Sequence, residues 1–192
     1  MKIKLLVLLL LSSLGTYAQQ IQWMSLSEAL EAQKKEPKKI FMDVYTKWCG
    51  PCKLLDKKTF ANPDLARYVS EHFYAVKFDA EGNEPIRFYD QNYTNPNYDA
   101  RKKGRNATHQ FTQFLGVKGY PTMVFFSEDG DPIMPVVGYY TAQQLEPYLK
   151  MIKQGDYMVF QGPDIVGKIK KELKEILKAD KIKNFGEIIG KK

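Results

Sequence analysis

The sequence predicts an α/β fold, because segments with a strand pattern and segments with a helix pattern alternate along the chain. Two capping boxes, Ser25-Leu26-Ser27-Glu28 and Thr141-Ala142-Gln143-Gln144, indicate where the first and last helices begin. Asp129-Gly130 is typical of a hairpin turn and separates the last two strands. The predicted order is helix, strand, helix, strand, helix, strand, strand, helix.

The predicted strands are short apolar segments, which suits a buried sheet. They cover residues 40–45, 74–79, 123–127 and 132–137. Each predicted helix carries apolar residues at helical spacing or starts at a first-turn proline. The helices begin at Leu26, Pro51, Pro63, residue 108 and Ala142. The first helix ends before Pro37, the fourth ends at residue 116, and the last ends at about Met151. Their expected core residues are Leu26, Ala29, Leu30, Leu65, Val69, Phe73, Phe111, Phe114 and Leu115.

The two cysteines of the chain stand three positions apart in Trp48-Cys49-Gly50-Pro51-Cys52. The strand at 40–45 runs directly into this motif, and Pro51 suits the first turn of the helix that follows. Cys49 is therefore expected at a helix N-terminus, where unpaired N–H groups and the helix dipole favour the thiolate. Because the thiolate is the form that attacks disulfides, the motif predicts a redox site.

Three other uses of the two cysteines are less well supported. A structural disulfide across so short a loop stabilises little, because its entropic effect grows with loop length. A zinc site needs four ligands, and the only histidines, His72 and His109, fall singly in helix patterns. We expect no metal and no catalytic role for either histidine. Two inert buried cysteines would leave the intervening Gly-Pro unexplained.

Further residues extend a resemblance to the thioredoxin superfamily. Asp43 stands six positions before Cys49, where thioredoxins keep a buried acid, and Lys77 lies at the position of the lysine that pairs with it. Gly119-Tyr120-Pro121-Thr122 resembles the cis-proline loop of the family. The resemblance implies a thioredoxin-like fold, in which a central mixed β-sheet is flanked by helices on both faces.

The resemblance covers residues 40–79 and 108–150. Within the superfamily, Thr59-Phe60-Ala61-Asn62-Pro63 is most similar to the secreted branch that includes the C-terminal domain of the membrane disulfide reductase DsbD. This branch implies a protein that works outside the cytoplasm.

The resemblance also implies catalytic roles. Cys49 is expected to attack a substrate disulfide, and Cys52 is expected to resolve the mixed disulfide that forms. Asp43, through Lys77 or water, is expected to move the proton to and from Cys52.

Five further residues are expected to position the substrate. Gly50 and Pro51 set the turn of the motif. Pro121 places the Tyr120 backbone beside the site, where it aligns an extended substrate segment. Trp48 either shapes the rim of the site or simply packs.

Residues 1–18 predict a secretory signal peptide. Lys2 and Lys4 precede a short apolar run, and Thr16-Tyr17-Ala18 fits a cleavage site after Ala18. The run is too short for a membrane anchor. We therefore expect a periplasmic or secreted protein.

Cleavage removes two of the 29 basic residues and none of the 22 acidic ones, which leaves a net charge of +5. So modest a charge disfavours a nucleic-acid partner.

Two segments exceed the minimal thioredoxin plan of the predicted domain, residues 19–153. Residues 80–107 form a long insertion whose tyrosines (Tyr89, Tyr93, Tyr98) indicate an ordered flap, either for partner recognition or as a structural loop. Residues 154–192 predict a basic amphipathic helical extension. We expect this extension to dock on its own domain rather than on a membrane.

The sequence thus predicts an extracytoplasmic thiol–disulfide oxidoreductase that reduces protein disulfides without a cofactor. Gly50-Pro51 matches thioredoxin, a reducing couple near about −270 mV, against about −120 mV for the oxidase DsbA. A dithiol outside the cytoplasm needs a source of electrons, so a membrane dithiol donor is the implied partner. A disulfide oxidase or isomerase is one alternative. A redox-inert binding module is another, but it has no need of both cysteines, Asp43 and Pro121.

Overall fold

The computed structural model of the protein describes residues 20–157. The predicted signal peptide (1–18) and residues 158–192 of the predicted C-terminal extension lie outside the described residues. Between residues 20 and 157, no helix combines the length and the apolar character that a membrane crossing requires.

Seven strands lie within the described residues: β1 Trp23–Met24, β2 Ile40–Tyr45, β3 Tyr74–Asp79, β4 Ile86–Phe88, β5 Gln91–Tyr93, β6 Thr122–Phe126 and β7 Pro132–Val137. Five of them form one mixed sheet in the order β1-β3-β2-β6-β7. Strands β1, β3 and β2 are parallel, whereas β6 runs antiparallel to both β2 and β7. Strands β4 and β5 form a separate antiparallel hairpin inside the insertion.

The helices of the same part of the chain are α1 Leu26–Gln33, α2 Gly50–Leu55, α3 Pro63–His72, α4 Gln110–Phe114 and α5 Ala142–Gln154. A π-helical turn, Asp56–Phe60, continues α2. The capping boxes predicted at Ser25 and Thr141 are both present, and Asn62 caps α3. These short-range signals therefore set three of the five helix starts.

Strand β2 lies at the centre of the sheet and separates two apolar cores. Ile40, Met42 and Val44 pack with α1, α4 and the β4–β5 hairpin, whereas Phe41 packs with α2, α3 and α5. Because side chains alternate along a strand, Asp43 lies on the same face as Phe41, toward α2. The alternation thus directs the one carboxyl group of an otherwise apolar strand toward the cysteine helix.

The predicted α/β fold with a mixed sheet flanked by helices is confirmed. The helix predicted at 108–116 is shorter, and its residue Phe114 is 42% exposed, so its assignment to the core was wrong. The Phe114 ring packs against Phe88 and Tyr93 of the insertion hairpin, which covers only one side of it. The last helix extends three residues beyond the predicted end at Met151, to a left-handed Gly155 cap.

Candidate active site

The two cysteines form a disulfide at the start of α2. Their Cα atoms are 5.3 Å apart, and Cys49 is the N-cap residue of the helix. The backbone N–H of Cys52 donates to Cys49 Sγ over 3.1 Å. The Cys49 sulfur therefore already occupies the position in which a helix N-terminus stabilises a negative charge.

The local chain path explains this placement. Strand β2 ends at Tyr45, and the Thr46 carbonyl accepts the N–H of Cys49 over 3.1 Å, which turns the chain into α2. Pro51 occupies the first turn of the helix, where its missing N–H costs nothing. Cys49 and Cys52 are each 2% exposed, whereas Gly50 and Pro51 are exposed. A Cβ at Gly50 would meet no atom within 4 Å, so this side of the motif is open to an approaching chain.

Asp43 lies beneath the disulfide helix and is fully buried. It is the cross-strand neighbour of Lys77, whose Nζ donates to Asp43 Oδ2 over 2.7 Å. Burial raises the pKa of Asp43 from 3.8 to about 6, and attraction to Lys77 offsets only part of this effect. The other oxygen, Oδ1, is buried and has no hydrogen-bond partner among the described residues.

Lys77 joins Asp43 to a second acid, Asp56, with which it also forms an ion pair. Asp56 follows Cys52 by one helical turn, and its backbone N–H donates to the Cys52 carbonyl. Burial is the largest single influence on the pKa of Lys77 and acts to lower it, but the attraction and hydrogen bonds of Asp43 and Asp56 together outweigh burial and hold the pKa above its ordinary value. Three aromatic rings surround the ammonium group at 5.0–5.5 Å: Trp23, Tyr45 and Phe60.

Sequence reasoning missed Asp56. The available signal was its spacing, four positions after Cys52, which places it on the same helix face as the cysteine. The π-helical turn that begins at Asp56 gives this segment a geometry that a regular helix pattern does not predict.

In the loop before β6, the Tyr120–Pro121 peptide bond is cis. Thr122 Oγ1 donates to the Gly119 carbonyl over 2.7 Å, and the Pro121 carbonyl accepts the N–H of Gly138 over 2.9 Å. These bonds fix the loop between β6 and the end of β7. Pro121 is buried, and Tyr120 is half-buried.

Trp48 connects this loop to the insertion. Its ring meets the Tyr120 ring edge-on with centroids 6.0 Å apart. Trp48 Nε1 donates to Glu81 Oε2 over 2.8 Å, and the same oxygen accepts the backbone N–H of Asn106 over 2.7 Å. The guanidinium carbon of Arg105 lies 4.2 Å from the Trp48 ring centroid.

These contacts show that the insertion reaches the rim of the site, although sequence reasoning named neither Glu81 nor Arg105. Asn95 holds the insertion closed, because its Nδ2 donates to the carbonyls of Gly82 and Ala107 over 2.9 and 2.7 Å. Glu81 is only 9% exposed. A carboxylate two residues after β3, at the start of an insertion rich in aromatic residues, was the one signal available.

The two histidines are apart from this arrangement. His109 is buried, caps α4 by accepting the Phe111 N–H at Nδ1, and donates from Nε2 to the Glu84 carbonyl over 3.0 Å. Burial lowers its pKa. Its contacts are those of a structural residue that ties the insertion to α4. His72 lies in the last turn of α3.

The sheet order, the disulfide at a helix start and the adjacent cis-proline loop define the class of thioredoxin-fold proteins. A model of the family described as thioredoxin-like domain matches residues 26–153. The chain therefore belongs to the thioredoxin-like family, which is a family of disulfide oxidoreductases, and it carries the CXXC-spaced cysteine pair.

Among curated proteins, the thiol:disulfide interchange protein DsbD of Pectobacterium atrosepticum is 27% identical over 128 residues. This match covers 66% of the chain but 18% of that much longer protein. The resemblance to the DsbD branch, stated above from sequence motifs, is confirmed.

Two solved structures show the fold. A thioredoxin-fold protein from Helicobacter pylori aligns with a TM-score of 0.57 and 19% identity, covering 88% of this chain and 98% of its own. A thioredoxin from Thermus thermophilus aligns with a TM-score of 0.51 and 13% identity, covering 69% of this chain and 87% of its own.

Proposed function

We propose that this protein is an extracytoplasmic protein-disulfide reductase that works through the Cys49–Cys52 couple. The observation that carries the proposal is the position of Cys49 Sγ, at the start of α2 and accepting the Cys52 N–H. A sulfur at this position is stabilised as a thiolate, and the thiolate is the attacking form. The likeness of Gly50-Pro51 to thioredoxin supports the reducing direction.

The proposed reaction has two exchange steps. In the first, the Cys49 thiolate attacks one sulfur of a substrate disulfide, forms a mixed disulfide and releases the other substrate sulfur as a thiolate. In the second, the Cys52 thiolate attacks Cys49 Sγ, which re-forms the Cys49–Cys52 disulfide and releases the second substrate sulfur. The substrate gains two electrons and two protons, and the enzyme dithiol loses them.

Asp43 is the proposed acceptor of the Cys52 proton. A buried carboxyl group with a pKa of about 6 exchanges a proton near neutral pH, and Asp43 Oδ1 has no competing hydrogen-bond partner among the described residues. Lys77 is a positioning residue in this scheme. It holds Asp43 Oδ2 and Asp56, and Asp56 lies one helical turn beyond Cys52.

The substrate segment is proposed to lie along the cis-proline loop and over the exposed side of the motif. The Tyr120 backbone would align the segment, as in the family. The open space at Gly50 and the exposed Pro51 would admit it. Trp48, held by Glu81, would form the wall on the insertion side.

The re-formed disulfide has to be reduced again, so a dithiol donor of the membrane is the proposed source of electrons. The likeness to part of DsbD and the sequence of residues 1–18 support a place outside the cytoplasm. Mature protein purified from its host is expected to begin at Gln19. An intact N-terminus in the cytosolic fraction would contradict this location.

The test of the proposal combines a redox titration with substrate trapping. The Cys49–Cys52 pair, equilibrated with dithiothreitol or glutathione buffers, is expected to have a potential nearer to about −270 mV than to about −120 mV. Cys52→Ala should accumulate mixed disulfides through Cys49, whereas Cys49→Ser should trap no substrate and reduce no insulin. A potential near that of DsbA, with rapid oxidation of reduced unfolded proteins, would make the protein an oxidase.

A further inference from the structure

The insertion presents unpaired positive charge at the rim of the disulfide site. Lys102, Lys103 and Arg105 are all exposed, and none forms an ion pair within the part of the chain that the structure describes. The nearby acids already have partners: Asp99 binds Arg101, and Asp79 lies 3.4 Å from Lys47. Glu81 is buried and accepts two N–H groups on one oxygen.

Arg105 lies against the residue that precedes the reacting cysteine. The guanidinium carbon Cζ of Arg105 lies over the Trp48 ring, 4.2 Å from the ring centroid, and Trp48 precedes Cys49 in the chain. A guanidinium that stacks on a ring uses its face for this contact, and its N–H groups at the edge stay available for a carboxylate. The Trp48 ring, in turn, meets Tyr120 of the cis-proline loop.

A small cavity of about 60 Å³ lies next to this stacked arginine. Three lysines line it, namely Lys47, Lys102 and Lys103, together with Tyr98 and Asn106. The carboxylates that also line it, Asp79 and Glu81, are held by Lys47, Trp48 and the Asn106 backbone as described above.

We propose that this cationic rim, formed by Arg105, Lys102 and Lys103, selects substrate proteins with acidic residues beside the disulfide to be reduced. One substrate carboxylate would bind the free edge of Arg105, and a second would enter the lysine-lined cavity. The inference rests on the proposed reductase function and names its substrate class. It gives the insertion the recognition role that its sequence left open.

The test uses disulfide-linked peptides that are identical except for the residues flanking one cysteine, which are Glu, Gln or Lys. The wild-type protein is expected to reduce the Glu peptide with a kcat/KM about tenfold above that for the Lys peptide at low ionic strength. The ratio should fall as salt is added, because salt screens exposed charges. Arg105→Met, which keeps a long apolar chain on Trp48, should lower the ratio several-fold, and Arg105→Glu should invert it.

Arg87→Met is the matched control, because Arg87 belongs to the same insertion, is 75% exposed in its side chain and pairs with Asp90 in the β4–β5 hairpin. This variant should leave the Glu-to-Lys ratio unchanged. Lys102→Ser combined with Lys103→Ser should lower the ratio without touching the Trp48 stack.

The outcomes separate the two proposals. Equal kcat/KM for the three peptides in the wild-type protein would overturn the selectivity and leave the reductase function standing. A loss in Arg105→Met that is the same for all three peptides would show that Arg105 only supports Trp48, which also overturns it. Failure of the wild-type protein to reduce any of the peptides, or insulin, would overturn both.

Discussion

Two acids flank the disulfide, one beneath it and one at its rim, and the structure uses them differently. Asp43 lies on the central strand, is fully buried and leaves one oxygen without a partner among the described residues. Glu81 lies in the insertion, is also buried and gives one oxygen to both Trp48 Nε1 and the Asn106 N–H. An acid that has a raised pKa and one oxygen without a hydrogen-bond partner is suited to proton transfer. An acid whose oxygen accepts two hydrogen bonds is suited to holding a ring in place.

The largest effect is expected from a substitution of Asp43, the acid with the proposed role in proton transfer. Asp43→Asn keeps the shape of the side chain but removes the proton acceptor, so we expect the rate of insulin reduction at pH 7 to fall about 10- to 100-fold. The substrate KM should change little, because Asp43 lies beneath the site. Stopped-flow or insulin turbidity assays would measure the loss. An undiminished rate would remove Asp43 from the proton path.

The same variant is expected to stabilise the protein at neutral pH. The folded-state pKa of Asp43 is raised from 3.8 to about 6. Between pH 3.8 and about pH 6, the folded state therefore still holds a proton on Asp43 that the unfolded state has lost. Stability is therefore unaffected by this group below about pH 4 and falls as the pH rises through 6, by up to about 3 kcal/mol. Urea unfolding at pH 4 and pH 8 should show the Asp43→Asn variant gaining over the wild type only at pH 8.

A smaller effect is expected at Lys77, which only positions and polarises Asp43. Attraction to Lys77 lowers the pKa of Asp43, so Lys77→Met should raise that pKa and move the pH midpoint of the reduction rate upward by about one unit. Methionine suits the surrounding rings of Trp23, Tyr45 and Phe60. The measurement is the pH profile of kcat/KM.

Lys39→Met provides the control for the Lys77 prediction. Lys39 is a buried lysine that, like Lys77, has a carboxylate partner, in this case Glu128 at 2.6 Å, but it precedes β2 at the end of the sheet opposite Cys49. Its removal should leave the pH profile unchanged. A profile that moves equally in both variants would point to overall charge rather than to the Asp43 contact.

The smallest expected effect lies at the rim. Glu81→Ala leaves the N–H groups of Trp48 and Asn106 without their acceptor, so the ring and the insertion lose a fixed position. We expect KM for protein substrates to rise about 3- to 10-fold while the redox potential stays the same. Glu84→Ala, an exposed acid of the same insertion, is the control and should alter neither quantity. A shifted potential in Glu81→Ala would mean that the rim also tunes the sulfur chemistry.

The difference between the central sheet, which carries Asp43, and the rim, which carries Glu81, also shows what the sequence could predict and what it could not. The apolar strands and the capping boxes at Ser25 and Thr141 are local signals, and they placed the sheet and most helix starts. The rim depends on contacts across the chain, such as Trp48 with Glu81, 33 positions apart. No rule of sequence spacing connects such residues, so only the structure shows that Arg105 and Glu81 lie at the rim of the site.

The insertion hairpin was missed for a related reason. Its strands are three residues long, and its turn places Tyr89 and Asp90 at φ angles of 48° and 60° without a glycine. The contacts that hold it are tertiary, since Phe88 packs on Phe111 and Phe126, and Tyr89 bonds to Asp131. Local propensity alone would not predict this pairing.

The ends of the insertion meet at one carbonyl group. Ala80 O, just after β3, accepts both the N–H of His109 over 2.9 Å and Thr112 Oγ1 over 3.0 Å. The segment between them therefore leaves the sheet and returns to the same point, and closing a longer or shorter loop there changes the entropic cost only slowly. Because both ends of the insertion are fixed at this one carbonyl group, a change in the length of the segment between them does not by itself displace the strand that carries Asp43 or the helix that carries Cys49.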